Sequence, residues 1–197
     1  MSKNIIEKLI DYTDAQVREL EKLKNLYNDE YEKAINLMLN AKGKIVFIGV
    51  GKSGHIGTKL AATISSTGTP SIFVHATEAV HGDLGMIQEN DVAILLSNSG
   101  ETKEVLNTIN SLRKMKIPTI SISSSENSTL AKNTDIALCY SYEKEADHLD
   151  LAPTTSSTIM LVIGDSLACV LSELKGFKKE DFHLYHPGGS LGDKLSK

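Results

Sequence analysis

The sequence predicts an α/β fold: a doubly wound, mainly five-stranded parallel sheet flanked by helices and preceded by N-terminal helices. Three observations carry this reading. From residue 45 onward, short apolar runs alternate with amphipathic stretches, the texture of βαβ units. The runs are short and largely apolar, those at residues 45–48 and 92–96 at every position, as strands covered on both faces are. The first and third runs lead directly into loops that carry glycine, serine and, in the first, lysine, at the carboxyl ends of strands where such sheets hold ligands.

Taken in order, the first forty residues read as helical. Ile5, Ile6, Leu9, Val17, Leu20, Leu23 and Leu26 recur at helical spacing among Lys and Glu, and a second helix is expected over Asp29 to Asn40. Ala41-Lys42-Gly43 closes it, with Gly43 as its C-cap. The expected strands are Ile45–Ile48, Ser71–Val74, Val92–Leu96, Thr119–Ile122 and Ile136–Leu138, all buried. Helices are expected over Gly54 to Ser66, Glu101 to Met115, a short stretch near Ser128, and Pro153 to Leu174; residues 177–197 show little periodicity. No repeat, low-complexity tract or linker interrupts the chain. The expectation is one domain over residues 1–197, with helices in 1–41 and the α/β core and tail in 42–197.

Bulk properties narrow the function. The chain has 197 residues, 41% apolar and 23% charged, enough to bury a core unaided. A net charge of -4 and 5% aromatic residues without Trp leave neither the basic footprint nor the stacking platform of a nucleic-acid binder. Cys139 and Cys169 lie in apolar runs and are expected as buried free thiols. The opening Met1-Ser2-Lys3-Asn4 is no signal peptide, and the apolar runs fall far short of about 20 residues. A cytoplasmic protein without membrane attachment is expected.

Two loops carry chemistry. Gly49-Val50-Gly51-Lys52-Ser53-Gly54 aims backbone amides and a helix N-terminus at an anion. As a dinucleotide fingerprint it lacks an acidic residue at the tip of the next strand, which ends near His75. As a Walker A loop it lacks glycine at position 46, which is Val46. A tight turn alone would explain the glycines but not Lys52 and Ser53. Ser97-Asn98-Ser99-Gly100-Glu101-Thr102 places hydroxyl and amide groups where the next helix presents unpaired N–H groups, more than a single N-cap requires. Both loops point to a small phosphorylated molecule.

These motifs carry a resemblance. The two loops resemble those of the SIS (sugar isomerase) domain. Glu78-Ala79 with His81-Gly82-Asp83-Leu84-Gly85-Met86, Leu151-Ala152-Pro153-Thr154-Thr155-Ser156 and His186-Pro187-Gly188-Gly189-Ser190-Leu191-Gly192 resemble the D-arabinose 5-phosphate isomerase family in particular. Many members continue into paired CBS domains; the resemblance here is to short members, or to a chain cut to the SIS domain. It implies conversion of D-ribulose 5-phosphate to D-arabinose 5-phosphate, feeding Kdo synthesis for lipopolysaccharide or capsule. It also implies no cofactor, and a homotetramer whose sites neighbouring subunits complete.

The resemblance also assigns residues. Lys52, Glu104, Glu145 and His186 match the family's functional positions. Lys52 is a fixed charge for substrate oxygens or the enediolate; the alternative, a solvated surface lysine, fits poorly between Gly51 and Ser53. Glu104 would read as a helix-start carboxylate and Glu145 as a loop carboxylate; one of them is implied as enediol base, its pKa raised by enclosure. His186 is implied in proton transfer or ring opening. Gly51, Ser53, Ser97, Asn98, Ser99 and Thr102 are expected at the phosphate, with His75 and His81 nearby. No metal is required, and His81 is expected as a place where zinc would bind and inhibit. Thr154-Thr155-Ser156-Ser157 reads as a helix start that also shapes the sugar pocket. The alternatives are an isomerase for another sugar phosphate, or a sugar-phosphate-binding regulator without turnover.

Overall fold

The structure, a computed structural model, describes residues 4–186. Five strands form one parallel sheet: β1 (Ile45–Gly49), β2 (Ser71–His75), β3 (Val92–Leu96), β4 (Thr119–Ser123) and β5 (Ile136–Cys139), in the order β2-β1-β3-β4-β5. The register pairs Ile45 with Ser71 on one side and with Val92 on the other. β1, β3 and β4 are buried at every position, whereas β2 and β5 are mostly half-buried. The expectation of five buried strands is therefore corrected for the two edges, where one backbone rim has no strand beside it among the described residues.

Successive strand residues face opposite layers. Ile45, Phe47, Val92, Ile94, Leu96, Ile120, Ile122 and Leu138 share one core with α1 (Ile5–Lys22), α2 (Asp29–Asn40), α3 (Gly51–Ser66) and α7 (Thr155–Leu174). Val46, Ile48, Ala93 and Leu95 face the other core, built with α4 (Ala76–Ala79), α5 (Lys103–Lys114) and α6 (Thr129–Asn133). α1 starts at a capping box in which Asn4 accepts from Glu7 N and Glu7 accepts from Asn4 N. Its first turns then leave Ile5, Ile6 and Leu9 exposed (76, 64 and 58%), so among the described residues nothing covers the start of the apolar stripe, while Leu20, Leu23 and Leu26 at its far end pack on the core.

Four expectations change. Residues 177–197 are aperiodic in sequence, yet α8 (Lys179–Tyr185) forms there; Asp181 accepts from Lys178 N at its start, and Phe177 stacks on Tyr185. Cys169 is exposed rather than buried, and Cys139 is half-buried; both thiols are free. α7 has 20 residues and is apolar enough to cross a membrane by length and composition, contrary to the expectation of short apolar runs only. Here it is a core helix packed against α1, α2 and α3, with Ile159, Met160, Ile163 and Leu167 buried.

Gly43 is not a C-cap. The cap of α2 is Ala41, and Gly43 is needed for close approach: a Cβ there would lie 2.2 Å from Asp91 Oδ1 and 2.8 Å from Asn90 backbone. Gly43 N donates to Asn90 O at 2.8 Å, and Asp91, 2% exposed, accepts from Lys44 N, Lys44 Nζ and Gln88 N. Burial pushes the Asp91 carboxyl up, but the Lys44 ammonium and these hydrogen bonds outweigh it and hold the group below its ordinary value. This knot sets where β1 and β3 begin side by side. Gly43→Ala is expected to lower stability by roughly 1–3 kcal/mol, measured as a lower urea midpoint with an unchanged denaturant slope.

Candidate active site

In the order β2-β1-β3-β4-β5 the chain winds one way from β1 and the other way from β3. The carboxyl ends of β1 and β3 therefore flank the switch point, where loops part and leave a crevice. Three helices start around it: α3 after β1, α5 after β3, and α7 at the end of the long connection from β5. A cavity of about 250 Å³ lies where α3 and α7 begin and the loop before α5 ends. Lys52, Ser53 and Val50 line it from α3, Asn98, Ser99 and Thr102 from the β3 loop, and Pro153, Ser156, Ser157 and Met160 from α7. Unpaired N–H groups and helix dipoles make this a place for an anion.

The β3 loop is shaped by its own side chains. Ser97, 2% exposed, accepts from Gly100 N at 3.0 Å and pairs with Thr102 Oγ1 at 2.8 Å. Ser99 Oγ accepts from Glu101 N at 3.1 Å. Gly100 turns the chain with φ +67, and a Cβ there would lie 2.3 Å from Ser128 Oγ, so only glycine permits this packing. Asn98 is clamped: its Oδ1 accepts from Tyr140 OH at 2.8 Å and its Nδ2 donates to Tyr142 OH at 2.9 Å. Its carbonyl accepts from Ser124 N and Ser124 Oγ, joining the β3 and β4 loops.

Glu145 holds the start of α7. Its carboxylate, 6% exposed, accepts from Thr154 N at 2.8 Å, Thr154 Oγ1 at 3.2 Å, Ser156 N at 3.2 Å and Ser156 Oγ. Burial pushes this carboxyl up, but the donors from Ser156 and Thr154 outweigh it, and its pKa lies below the ordinary value. Of the two glutamates expected to include a base with a raised pKa, Glu145 is shifted the other way. The side chain is a fixed anion at a helix N-terminus, and it lines a second cleft of about 490 Å³ that shares Asn98 and Pro153 with the first cavity.

The expected site residues thus fall into two groups. Lys52, Ser53, Asn98, Ser99 and Thr102 are gathered at the cavity, with Gly51 (φ +58) turning the chain into α3. Ser97 lies beneath the loop. Glu104 is exposed on the first turn of α5, His81 is exposed, and His75 ends β2 with Nδ1 buried and unpartnered; none of them lines the cavity. Among the described residues no three His, Cys, Asp or Glu side chains are grouped for a metal, His81 included. His186 follows α8, stacked on Phe182 with Nδ1 against Phe182 O at 2.9 Å. The Pro187–Gly192 part of its motif lies outside the described residues.

Sequence reasoning passed over Tyr140 and Tyr142, which hold Asn98. Their alternate spacing just after β5 was the available signal. Val50, in the glycine loop before α3, and Met160, on α7, give the cavity apolar walls and had no chemical signal of their own in the sequence.

The Glu145 geometry has a pH consequence. Its folded pKa is depressed, so its contribution to stability is present above the unfolded carboxylate range and is lost as pH falls through the folded value. Glu145→Gln is expected to cost about 1–3 kcal/mol at pH 7. Urea melts are expected to show this gap narrowing as pH drops below about 4.

Comparison with known proteins places this geometry in a family. The SIS domain model matches residues 37–170. The arabinose 5-phosphate isomerase KdsD of Yersinia pestis is 51% identical over 176 residues, 89% of this chain and 54% of that protein. The enzyme of the same name from Francisella tularensis is 47% identical over 183 residues, 91% of this chain and 56% of its own. The chain thus spans about half the length of these curated relatives. A solved structure from E. coli CFT073 in complex with arabinose 5-phosphate is 49% identical, with a TM-score of 0.91 over 95% of this chain and 100% of that one. The cavity between β1 and β3 therefore lies in a sugar-isomerase fold, and the chain belongs to the SIS domain family.

Proposed function

We propose that this chain is an aldose–ketose isomerase that interconverts D-ribulose 5-phosphate and D-arabinose 5-phosphate through an enediol, and that its product feeds Kdo synthesis. The observation that carries the reading is the cavity at the switch point, where three helix N-termini meet Lys52, Ser53, Ser99 and Thr102. A phosphate seated there leaves the open-chain sugar to run into the adjoining cleft. The names of the curated relatives and the neighbour bound to arabinose 5-phosphate support this substrate.

The chemistry moves a proton between C1 and C2 and stabilises charge on the carbonyl oxygen, so it calls for a base, an acid and a cation. Lys52 supplies the cation. Glu145 already accepts four hydrogen bonds as an anion, so in this reading it fixes α7, and proton transfer falls to Glu104 and His186. One chain holds both outside the cavity lining. A homotetramer completes each site from neighbouring subunits, with the exposed apolar start of α1 supplying contact surface. In the same reading residues 1–197 form one SIS domain, the protein works in the cytoplasm, no cofactor takes part, and zinc added at exposed His81 inhibits.

Proton NMR in deuterated water, with D-ribulose 5-phosphate and a chelator, is expected to show arabinose 5-phosphate carrying deuterium at C2; neither new sugar nor exchange would reject the reading. Lys52→Met is expected to lower kcat/KM by about 100-fold or more with an unchanged far-ultraviolet spectrum. Glu104→Gln and His186→Ala proteins, each inactive alone, are expected to regain activity when their subunits are exchanged. No recovery would show that the same subunit supplies both residues to a given site.

A further inference from the structure

The hydrogen bonds around Asn98 have a direction that can be deduced. An Asn amide can be placed either way round, and the partners decide which is right. Tyr140 is 2% exposed, and burial pushes its phenol far above the ordinary value, so it stays a neutral donor. With Asn98 Oδ1 toward Tyr140, the buried Tyr140 proton has its acceptor at 2.8 Å. With the amide reversed, Tyr140 would accept from Nδ2 and its own proton would be buried without a partner, which is costly. The order is therefore Tyr140 O–H to Asn98 Oδ1, then Asn98 Nδ2–H to Tyr142 Oη. Tyr142 accepts, and its own proton has no acceptor among the described residues.

That proton belongs to a half-buried side chain lining the cleft of about 490 Å³, together with Asn98, Ser124, Glu145 and Pro153. Two of these, Asn98 and Pro153, also wall the cavity with Lys52 and Ser99. A sugar phosphate anchored there by its phosphate therefore lays its carbon chain past Asn98 toward Tyr142. The hydroxyl oxygens of an open-chain sugar are hydrogen-bond acceptors, and a donor with a fixed aim distinguishes one hydroxyl placement from another.

We propose that Tyr142 is a sugar-binding, specificity-determining residue that donates to a hydroxyl of the substrate's polyol chain, and that Tyr140, acting through Asn98, is the positioning residue that aims it. This rests on the isomerase reading for the identity of the sugar but not on turnover.

The test is binding, by calorimetry, of two probes: D-arabinitol 5-phosphate, which cannot isomerise, and inorganic phosphate. Tyr142→Phe is expected to weaken the pentitol phosphate by about threefold to tenfold, the span of one net hydrogen bond. It is expected to leave the affinity for inorganic phosphate unchanged. Tyr140→Phe, which frees the Asn98 amide to rotate, is expected to shift the pentitol phosphate in the same direction. Unchanged affinity of Tyr142→Phe for the pentitol phosphate overturns the proposal, and so does a parallel loss for both probes, which marks a merely structural role. If the selective loss appears while the unaltered protein shows no deuterium exchange, the isomerase reading fails and the role of Tyr142 stands. If the unaltered protein does not bind the pentitol phosphate at all, both fail.

Discussion

The side-by-side pairing of β1 and β3 is the constraint on which the rest of the molecule depends. These strands are separated in sequence by α3, β2, α4 and the turn at Gln88–Asp91, yet Ile45 lies opposite Val92. The junction is fixed at its start by Asp91, which binds the backbone and ammonium of Lys44, with Gly43 pressed against Asn90. Because both strands point the same way, their ends open together. The crossovers then carry α3 to one face and α5 to the other. The anion cavity is the gap these two departures leave, and α7 closes its third side.

The polar wiring of the site reinforces that geometry. Glu145 gathers the amides and hydroxyls at the start of α7, Ser97 gathers the turn of the β3 loop, and Asn98 ties that loop to β4 and to the segment after β5. These groups satisfy one another beneath the surface. The groups left at the rim, Lys52, Ser53, Ser99 and Thr102, face the cavity from rigid supports, the preorganisation that binding and electrostatic catalysis need.

Much of the fold was legible because strand burial is a matter of composition. Ile45–Ile48 and Val92–Leu96 are apolar at every position, as a strand covered by helices on both faces must be. Position in the sheet was not legible: Ser71–His75 and Ile136–Cys139 read like the others, and only the crossover pattern makes them edges. α8 escaped notice because seven residues, two turns at most, are too few to show an apolar period; it depends on the Asp181 cap and on Phe177 meeting Tyr185. In the site, loop chemistry singled out Lys52, Ser53, Ser99 and Thr102, which the structure gathers around one cavity. It could not tell which way Glu145 is shifted, since burial and hydrogen bonding act oppositely on a carboxylate and sequence shows neither the donors nor their number. It also could not show that Asn98 serves two tyrosines, a relation between loops far apart in the chain.

The crossing from β1 to β3 bears on how the protein is made. A chain emerging from the ribosome releases its N-terminal portions first. β1 then has β2 available on one edge, but its other edge waits for residues 92–96. Until α5 follows, Val46 and Ile48 lack one wall of the core they enter. For that interval the nascent protein carries an apolar strand with an open rim, a template for pairing with other chains. Synthesis between β2 and α5 is therefore the stage at which this fold relies most on chaperones and on a steady pace of translation.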